Sequence, residues 1–176
     1  MPIIESALGV ERAFEIARAV KNVVALAIGL EDYTADIGVQ RTREGRESLY
    51  ARLRLVNAAK AARVQPIDSV FSDVSDMEGL RATAQLSKSY GFEGMGCIHP
   101  RQIQVIKAAF SPGQDEIRKA YEIVKAFREA EEKGLGVVSL GSKMIDPPVV
   151  ARARRTIDLA EKLDLIPDET DERDND

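Results

Sequence analysis

The chain has 176 residues, enough for one domain with a hydrophobic core of its own. A hydrophobic content of 44% and a charged content of 31% are ordinary for a soluble globular protein. With 25 basic against 29 acidic residues, the composition gives no reason to expect nucleic acid or a membrane as partner. The single cysteine excludes an internal disulfide, and neither a membrane-spanning apolar run nor a secretory signal is visible, so we expect a cytoplasmic protein.

Short apolar runs, each followed by a helical pattern, recur along the chain. This alternation is typical of parallel strands joined by helices. The predicted strand regions cover residues 2–7, 23–28, 66–71 and 91–100. Residues 29–46 are predicted to form a polar loop, and residues 47–63 a helix with four apolar side chains on its core face. These side chains are Leu49, Leu53, Val56 and Ala59.

The order of these elements predicts the fold class. Four βα units in one direction, followed by a helical and hairpin extension, predict an α/β protein that forms the C-terminal half of a (β/α)8 TIM barrel, since a complete barrel needs about 250 residues. A complete four-stranded sheet is the alternative, but it would leave two unprotected edges. We expect residues 1–112 to form half of a TIM-barrel catalytic domain, 113–165 a C-terminal extension, and 166–176 a disordered acidic tail.

Acidic side chains stand at the ends of the first two predicted strands. Glu5 closes the first, and Asp32 follows the second. The carboxyl ends of parallel strands meet at one edge of a sheet, where ligands bind in α/β folds. Two carboxylates there can hold a hard divalent cation such as Mg²⁺. The alternative is structural, with Glu5 leading into a helix cap and Asp32 as an ordinary loop residue.

Two further polar residues precede prolines. His99, the only histidine, is followed by Pro100 and is predicted to cap the next helix through its backbone, with a chemical role as the alternative. Asp146 is followed by Pro147, which suits the first position of the last helix, so Asp146 is predicted to be its N-cap. The segment before Asp146 predicts a hairpin with a turn at Gly141-Ser142.

A series of motifs runs through the chain in a fixed order. They are Ile4-Glu5-Ser6-Ala7-Leu8-Gly9, Ile28-Gly29-Leu30-Glu31-Asp32-Tyr33, Tyr50-Ala51-Arg52 with Asn57-Ala58-Ala59, Ile67-Asp68, residues 94–100, and Gly141-Ser142-Lys143-Met144-Ile145-Asp146-Pro147-Pro148. Each is weak alone, but their order and spacing together are specific. The chain resembles the C-terminal part of the citrate lyase β-subunit family. These are CoA-ester lyases related to malyl-CoA and citramalyl-CoA lyases within the metal-dependent barrel aldolases.

The resemblance implies a metal site and a reaction. Family counterparts of Glu5 and Asp32 bind Mg²⁺, which also chelates the keto-acid product. Cleavage of the carbon–carbon bond turns an alkoxide into a ketone, and a cation on that oxygen stabilises its charge. The implied reaction is cleavage of a citryl thioester to oxaloacetate and an acetyl thioester, whose enolate needs a positioned acid and base pair. A malyl-CoA or citramalyl-CoA lyase is the close alternative.

The resemblance also implies catalytic and substrate-binding residues. Asp146 matches an aspartate that is thought to close over the active site of a neighbouring subunit, which implies a homo-oligomer. The backbone amides around Gly29, Leu30 and Glu31 are implied to hold the product carboxylate. The implied substrate is an acyl thioester carried by CoA or by an acyl carrier protein, the γ subunit, with an α subunit performing acyl exchange.

The chain departs from the family pattern in two respects. It begins at what would be the fifth strand, so the arginine that binds the substrate carboxylate, and further acidic residues near the metal, fall outside it. Met95 stands where lysine is usual and supplies no positive charge for a carrier phosphate.

Tyr50 and Arg52 are expected to be packing and helix-surface residues. An alternative function outside enzymes is a non-catalytic half-barrel that docks on a partner chain or on a second copy of itself.

Overall fold

The computed structural model describes residues 1–140 and 143–166. The chain divides into two compact units, Met1–Phe110 and Ser111–Asp176, so the first unit ends two residues before the predicted end of the barrel segment. The predicted Gly141-Ser142 turn, and the predicted tail beyond Ile166, lie outside the described residues. Within the described ranges, every helix is too short or too polar to cross a membrane.

A four-stranded parallel sheet forms the centre of the first unit. Its strands are adjacent in space in the order in which they occur in the chain. Ile4 pairs with Ile28, and Ile67 pairs with both Ala27 and Gly94, so the register is continuous across the sheet. The strands are β1 Ile3–Ile4, β2 Ala25–Ile28, β3 Gln65–Asp68 and β4 Gly94–Met95. The predicted α/β class, with parallel strands alternating with helices, is confirmed.

Helices connect the strands and carry most of the core. The main cluster of buried residues combines Ile4 and Leu26 of the sheet with Leu55 and Phe92. The helices of this unit are α1 Ala7–Glu11, α2 Ala13–Arg18, α3 Leu30–Asp36, α4 Leu49–Ala62, α5 Met77–Tyr90 and α6 Pro100–Phe110, with a 3-10 turn at Arg46–Ser48.

Helix α3 lies where the sequence predicted a polar loop, so that part of the prediction is wrong. Leu30, Tyr33 and Thr34 are buried, and the Thr34 hydroxyl donates to the Leu30 carbonyl at 2.8 Å. Glu31 and Asp32 stand in the first turn, where the helix dipole favours negative charge. A helix of seven residues is too short to show the repeated apolar stripe by which longer helices are predicted.

The core face of α4 also differs from the predicted one. Leu49 is 37% exposed and Leu53 43% exposed, although both were predicted to face the core. Arg52, expected to be a packing or helix-surface residue, is only 5% exposed and is therefore a core residue. The buried residues of α4 are Ala51, Arg52, Leu55, Ala58 and Ala59.

Arg52 is buried because it has a buried partner. Its Nε donates to Oδ1 of Asp68 at 3.3 Å, and its Nη2 donates to Oδ2 of Asp68 and, at 3.0 Å, to the hydroxyl of Ser87. The guanidinium also lies 4.7 Å from the centre of the Tyr90 ring. This network joins α4, the end of β3 and α5. No buried side-chain nitrogen or oxygen in the described part of the chain lacks a partner.

The second unit packs two helices with a hairpin. The antiparallel pairing of Val138 with Ile145 confirms the predicted hairpin. Phe127, Ile145 and Val150 form its buried cluster. Its elements are α7 Gln114–Glu132, β5 Val138–Leu140, β6 Lys143–Ile145 and α8 Pro147–Lys162.

The buried pair predicts a large effect on stability. We expect Arg52→Ala to lower the free energy of unfolding by about 3–5 kcal/mol, because it leaves the Asp68 carboxylate buried without its counter-charge. Urea denaturation followed by circular dichroism measures this change. Arg54→Ala is the matched control on the same helix; it loses one hydrogen bond to the Glu11 carbonyl, so its effect should stay at about 1 kcal/mol. The double variant Arg52→Met with Asp68→Leu should recover most of the loss, and equal destabilisation by Arg52→Ala and Arg54→Ala would contradict the assignment.

Candidate functional site

Glu5 directly follows β1 at the carboxyl edge of the sheet. The neighbouring strand ends beside it, since the Gly29 N–H donates to the Ile4 carbonyl at 2.9 Å. The Glu5 side chain lies against Gly29, so that a Cβ at position 29 would fall on the carboxyl group and within 2.6 Å of its Cγ. Glu5 is exposed, so its carboxylate lies beside the start of α3 with access to solvent.

Asp32 lies in the first turn of α3, three residues after Gly29. Residues at this spacing are neighbours on a helix, about 5–6 Å apart. The structure therefore brings Glu5 and Asp32 to the same edge of the sheet, with Glu5 against Gly29 and Asp32 three residues further along the chain. Both side chains are exposed. Asp32 is not the ordinary loop residue of the structural alternative, and metal binding by the two carboxylates stays a prediction.

The donor set at this edge fits Mg²⁺. The described residues contain no group of three or more His, Cys, Asp or Glu side chains arranged to hold a metal ion. Mg²⁺ does not need one, because proteins usually hold it through one or two carboxylates while waters and substrate oxygens complete the octahedron. Glu5 and Asp32 would supply two hard oxygen ligands, and Gly29 leaves the space that the Glu5 side chain occupies.

The backbone amides of the predicted substrate-binding residues are partly engaged. The Gly29 N–H bonds the Ile4 carbonyl, and the Leu30 N–H donates to the Ser69 hydroxyl at 3.2 Å. Glu31 is bound through its side chain to Arg41. The prediction that these amides hold a product carboxylate stays a prediction, and of the three it depends most on the amide of Glu31.

A cavity of about 450 Å³ opens at the same edge. Its walls come from α3, from the loop that follows α3 and from the loop that follows β3. Charges of both signs line it, so it suits a polar ligand better than an apolar one. The charged and hydroxyl side chains at its walls include Glu31, Arg41, Arg43, Ser69, Asp73 and Asp76.

Arg41 fastens the loop after α3. Its Nη1 donates to the Glu31 carboxylate at 2.7 Å, and its Nη2 donates to the Val70 carbonyl at 3.0 Å. The Arg41 side chain is 20% exposed, whereas that of Arg43, which pairs with Asp76, is 74% exposed. Arg41 is therefore the better-shielded contact, and it ties α3 to the segment after β3.

Asp73 uses its carboxylate to shape the loop after β3. Its Oδ1 accepts hydrogen bonds from the Ser75 hydroxyl at 2.6 Å, the Ser75 N–H at 2.9 Å and the Asp76 N–H at 3.2 Å. The bond from the Ser75 hydroxyl, followed by the backbone bonds, lowers the pKa of Asp73. The turn in which Asp73 lies therefore favours its ionised form.

Asp146, the predicted catalytic residue, lies at the start of α8 in the second unit. Its Oδ1 accepts the Val149 N–H at 3.1 Å, and Pro147 occupies the first helical position, which confirms the predicted N-cap. The residue is half-buried, so part of its surface meets solvent. Its catalytic role stays a prediction.

His99 has the structural role that was predicted for it. Its carbonyl accepts the Gln102 N–H at 2.9 Å, and its Nδ1 accepts the Arg101 N–H at 3.2 Å. Both bonds cap the first turn of α6. Met95, at the position where the family usually has lysine, is a buried core residue.

Sequence reasoning missed Ser69 and Arg41 at this edge. Ser69 directly follows β3, and the end of a parallel strand was itself a signal that the residue belongs to the edge where ligands bind. Arg41 gave no comparable signal, because its partners Glu31 and Val70 lie 10 and 29 residues away in sequence.

The comparisons with known proteins identify close relatives of the chain. Residues 1–100 match the family model described as HpcH/HpaI aldolase/citrate lyase. The citrate lyase subunit beta of Leuconostoc mesenteroides subsp. cremoris is 41% identical over 169 residues, which cover 96% of this chain and 56% of the relative. Human mitochondrial citramalyl-CoA lyase is 34% identical over 168 residues, covering 91% of this chain and 49% of the relative. The chain spans about half the length of the curated relatives it matches.

Solved structures agree with these matches. CitE from Mycobacterium tuberculosis, in complex with magnesium, acetoacetate and coenzyme A, superposes with a TM-score of 0.79 at 30% identity, covering 90% of this chain and 60% of that one. A citrate lyase from Burkholderia xenovorans LB400 gives a TM-score of 0.81 at 25% identity, covering 95% and 54%. The citrate lyase beta subunit of M. tuberculosis complexed with oxaloacetate and magnesium gives 0.57 at 35% identity, covering 62% and 51%.

The two arginines of the loop after α3 predict different effects on local motion. Arg41→Ala should increase amide hydrogen exchange across residues 37–45, because it removes both bonds that hold this loop to its neighbours. Arg43→Ala is the matched control and should change exchange little, because exposed ion pairs contribute only about 0–1 kcal/mol. Hydrogen exchange with mass spectrometry compares the two, and equal exchange in both variants would show that Arg41 does not fasten the loop.

Proposed function

We propose, because this chain belongs to the HpcH/HpaI aldolase/citrate lyase family, that it supplies the metal-binding part of a citrate lyase β-type enzyme. The reaction is Mg²⁺-dependent cleavage of a citryl thioester to oxaloacetate and an acetyl thioester. The observation that carries the proposal is the placement of the Glu5 carboxylate against Gly29, one helical turn from Asp32. The magnesium, coenzyme A and keto-acids bound by the solved relatives support it.

Glu5 and Asp32 would hold the ion, and the chain around them fixes their positions. Bound there, Mg²⁺ supplies a Lewis acid for the oxygen that becomes the ketone of the keto-acid product. Glu5 is directed by the end of β1 and by the space over Gly29. Asp32 is directed by the first turn of α3, whose dipole favours a negative side chain.

Asp146 is proposed to act on the other fragment, the acetyl thioester, whose enolate must take up a proton. As the N-cap of α8, its carboxylate is oriented by the Val149 N–H, and the residue is partly exposed to solvent. We propose that the Asp146 of one copy serves the metal site of a neighbouring copy, so that the active protein is a homo-oligomer. The acyl group would arrive on CoA or on the γ-subunit carrier, with an α subunit performing acyl exchange, in the cytoplasm.

We also propose that the first unit is the C-terminal half of a TIM barrel. Right-handed crossovers between strands that follow one another in order place the connecting helices on one face of the sheet. The opposite face and the outer edges of β1 and β4 are then available to further strands. Such strands would close the barrel and shield both edges. The length of the relatives, about twice that of the matched region, supports this proposal.

Two alternatives have support of their own. The 34% identity to human citramalyl-CoA lyase favours a free CoA-ester lyase acting on citramalyl-CoA or malyl-CoA. The two uncovered strand edges favour a half-barrel that is not catalytic alone and docks on a partner carrying the other half. Substrate tests separate the first alternative from the main proposal, and mass measurement separates the second.

The metal site is tested by replacing Glu5. We expect Glu5→Gln to weaken Mg²⁺ binding at least about tenfold, as measured by calorimetric titration. Even residues that only hydrogen-bond to metal ligands change metal affinity by about 10–100-fold, so loss of a ligand should do at least as much. Glu15→Gln, an exposed residue of α2, is the matched control and should bind Mg²⁺ as the wild type does. Equal affinity in the two variants would place the ion elsewhere.

The same variants test the reaction. The chain is assayed with citryl-CoA and citramalyl-CoA, alone and co-expressed with the part of the Leuconostoc relative that lies outside the matched region. Cleavage of citryl-CoA that requires Mg²⁺ and Glu5 is expected from the co-expressed sample. Preferred cleavage of citramalyl-CoA would favour the alternative lyase, and cleavage of neither substrate would contradict both.

The half-barrel predicts self-association or association with the other half. Light scattering with size-exclusion chromatography should show the chain as a dimer or larger species, or as a complex with the co-expressed segment, because a monomer exposes two strand edges. A stable monomer that forms no complex with the co-expressed segment would argue against docking. Full lyase activity in the chain alone would show that no second half is needed.

A further inference from the structure

The missing side chain of Gly29 has two effects, one on Glu5 and one on helix α3. Its lack of a side chain makes room for Glu5, because a Cβ at this position would overlap the Glu5 carboxyl group. The N-cap position of a helix, however, normally carries a side-chain oxygen that accepts one of the first free N–H groups. Gly29 is the N-cap of α3 and makes no such bond. The helix that carries Asp32 therefore lacks a cap of its own.

Ser69 supplies the missing oxygen from another part of the chain. Its hydroxyl accepts the Leu30 N–H, the first of α3, at 3.2 Å across a sequence separation of 39 residues. Ser69 is 7% exposed, so water does not readily replace this bond. The neighbouring Val70 carbonyl receives Arg41, which also holds Glu31. Two successive residues after β3 thus tie down the first turn of α3.

Ser69 is itself held by the buried pair of the core. Its N–H donates to Oδ1 of Asp68 at 2.8 Å, and the same carboxylate is bound by Arg52 and Ser87. Asp68 is 3% exposed and has little freedom to move. A chain of hydrogen bonds consequently runs from α4 and α5, through the end of β3, to the start of α3.

We infer that Ser69 is a positioning residue that caps α3 in place of residue 29, and that Arg52 and Asp68 hold it in register with the Glu5 and Asp32 carboxylates. Capping of α3 is independent of the reaction, whereas the effect on the carboxylates rests on the proposed metal site. Ser69 itself is not a ligand in this scheme. It fixes the turn on which the ligand Asp32 stands.

The first test measures capping directly. Ser69→Ala removes one oxygen, and hydrogen exchange of the Leu30 amide, measured by NMR in the full chain, should accelerate about fivefold or more. The Leu55 amide in the core of α4 reports global unfolding, and exchange at Leu30 is compared with it. Ser69→Thr keeps an acceptor oxygen and should restore protection. Ser89→Ala, an exposed position of α5, is the matched control and should leave Leu30 unchanged.

The second test measures positioning. Ser69→Ala should weaken Mg²⁺ binding about tenfold, as second-layer groups at metal sites do, and Ser69→Thr should recover it. Unchanged Leu30 protection in Ser69→Ala overturns the inference whatever the metal does. The positioning role is overturned if Ser69→Ala speeds Leu30 exchange but binds Mg²⁺ as tightly as the wild type. This outcome counts only when Glu5→Gln has been shown to weaken Mg²⁺ binding.

The failure of the proposed function gives a different pattern. If wild type and Glu5→Gln bind Mg²⁺ equally, the metal site is wrong, and the capping of α3 by Ser69 is still decided by the Leu30 exchange alone.

Discussion

The buried ion pair between Arg52 and Asp68 is the constraint on which the carboxyl edge of the sheet depends. Burying two charges costs several kcal/mol, and the pair persists because its carboxylate also accepts bonds from Ser87 and from the Ser69 N–H. Its position explains why that cost is tolerated. Asp68 ends β3, so the charges that fix α4 against the sheet also fix the first residues beyond the strand, and through them the start of α3.

One side of this edge packs against the core, and the other side faces solvent. On the core side, hydrogen-bonded polar groups of Arg52, Asp68 and Ser87 fill the space between the sheet and the helices. On the solvent side, Glu5 and Asp32 are exposed. The polar cavity of about 450 Å³ is lined by other residues of this edge, among them Glu31 and Ser69, and not by the two carboxylates. For the proposed metal site, such an arrangement would offer two solvent-accessible carboxylates on elements that are held from within the core.

The sequence predicted the parts whose causes are local. The four strands, the N-cap at Asp146 and the capping by His99 follow from neighbours a few residues away, and all are present. The strand bounds were predicted less well, because β3 ends at Asp68 and not at Phe71, and β4 covers only Gly94–Met95. The sequence did not predict α3, which is too short to repeat an apolar pattern, or the core face of α4. That face follows Arg52 instead of Leu49 and Leu53, because a charge 16 residues further along, at Asp68, draws the arginine inward. The bond from Leu30 to Ser69 is equally invisible without the fold.

Gly29 sets a limit on how far this protein can be stabilised. Serine or aspartate at that position would give α3 an N-cap of its own, a change that stabilises many helices by about 1 kcal/mol. The same side chain would occupy the volume of the Glu5 carboxyl group. A side-chain cap at residue 29 would therefore displace the Glu5 carboxylate from its present place, and a search for more stable variants should leave residue 29 unchanged.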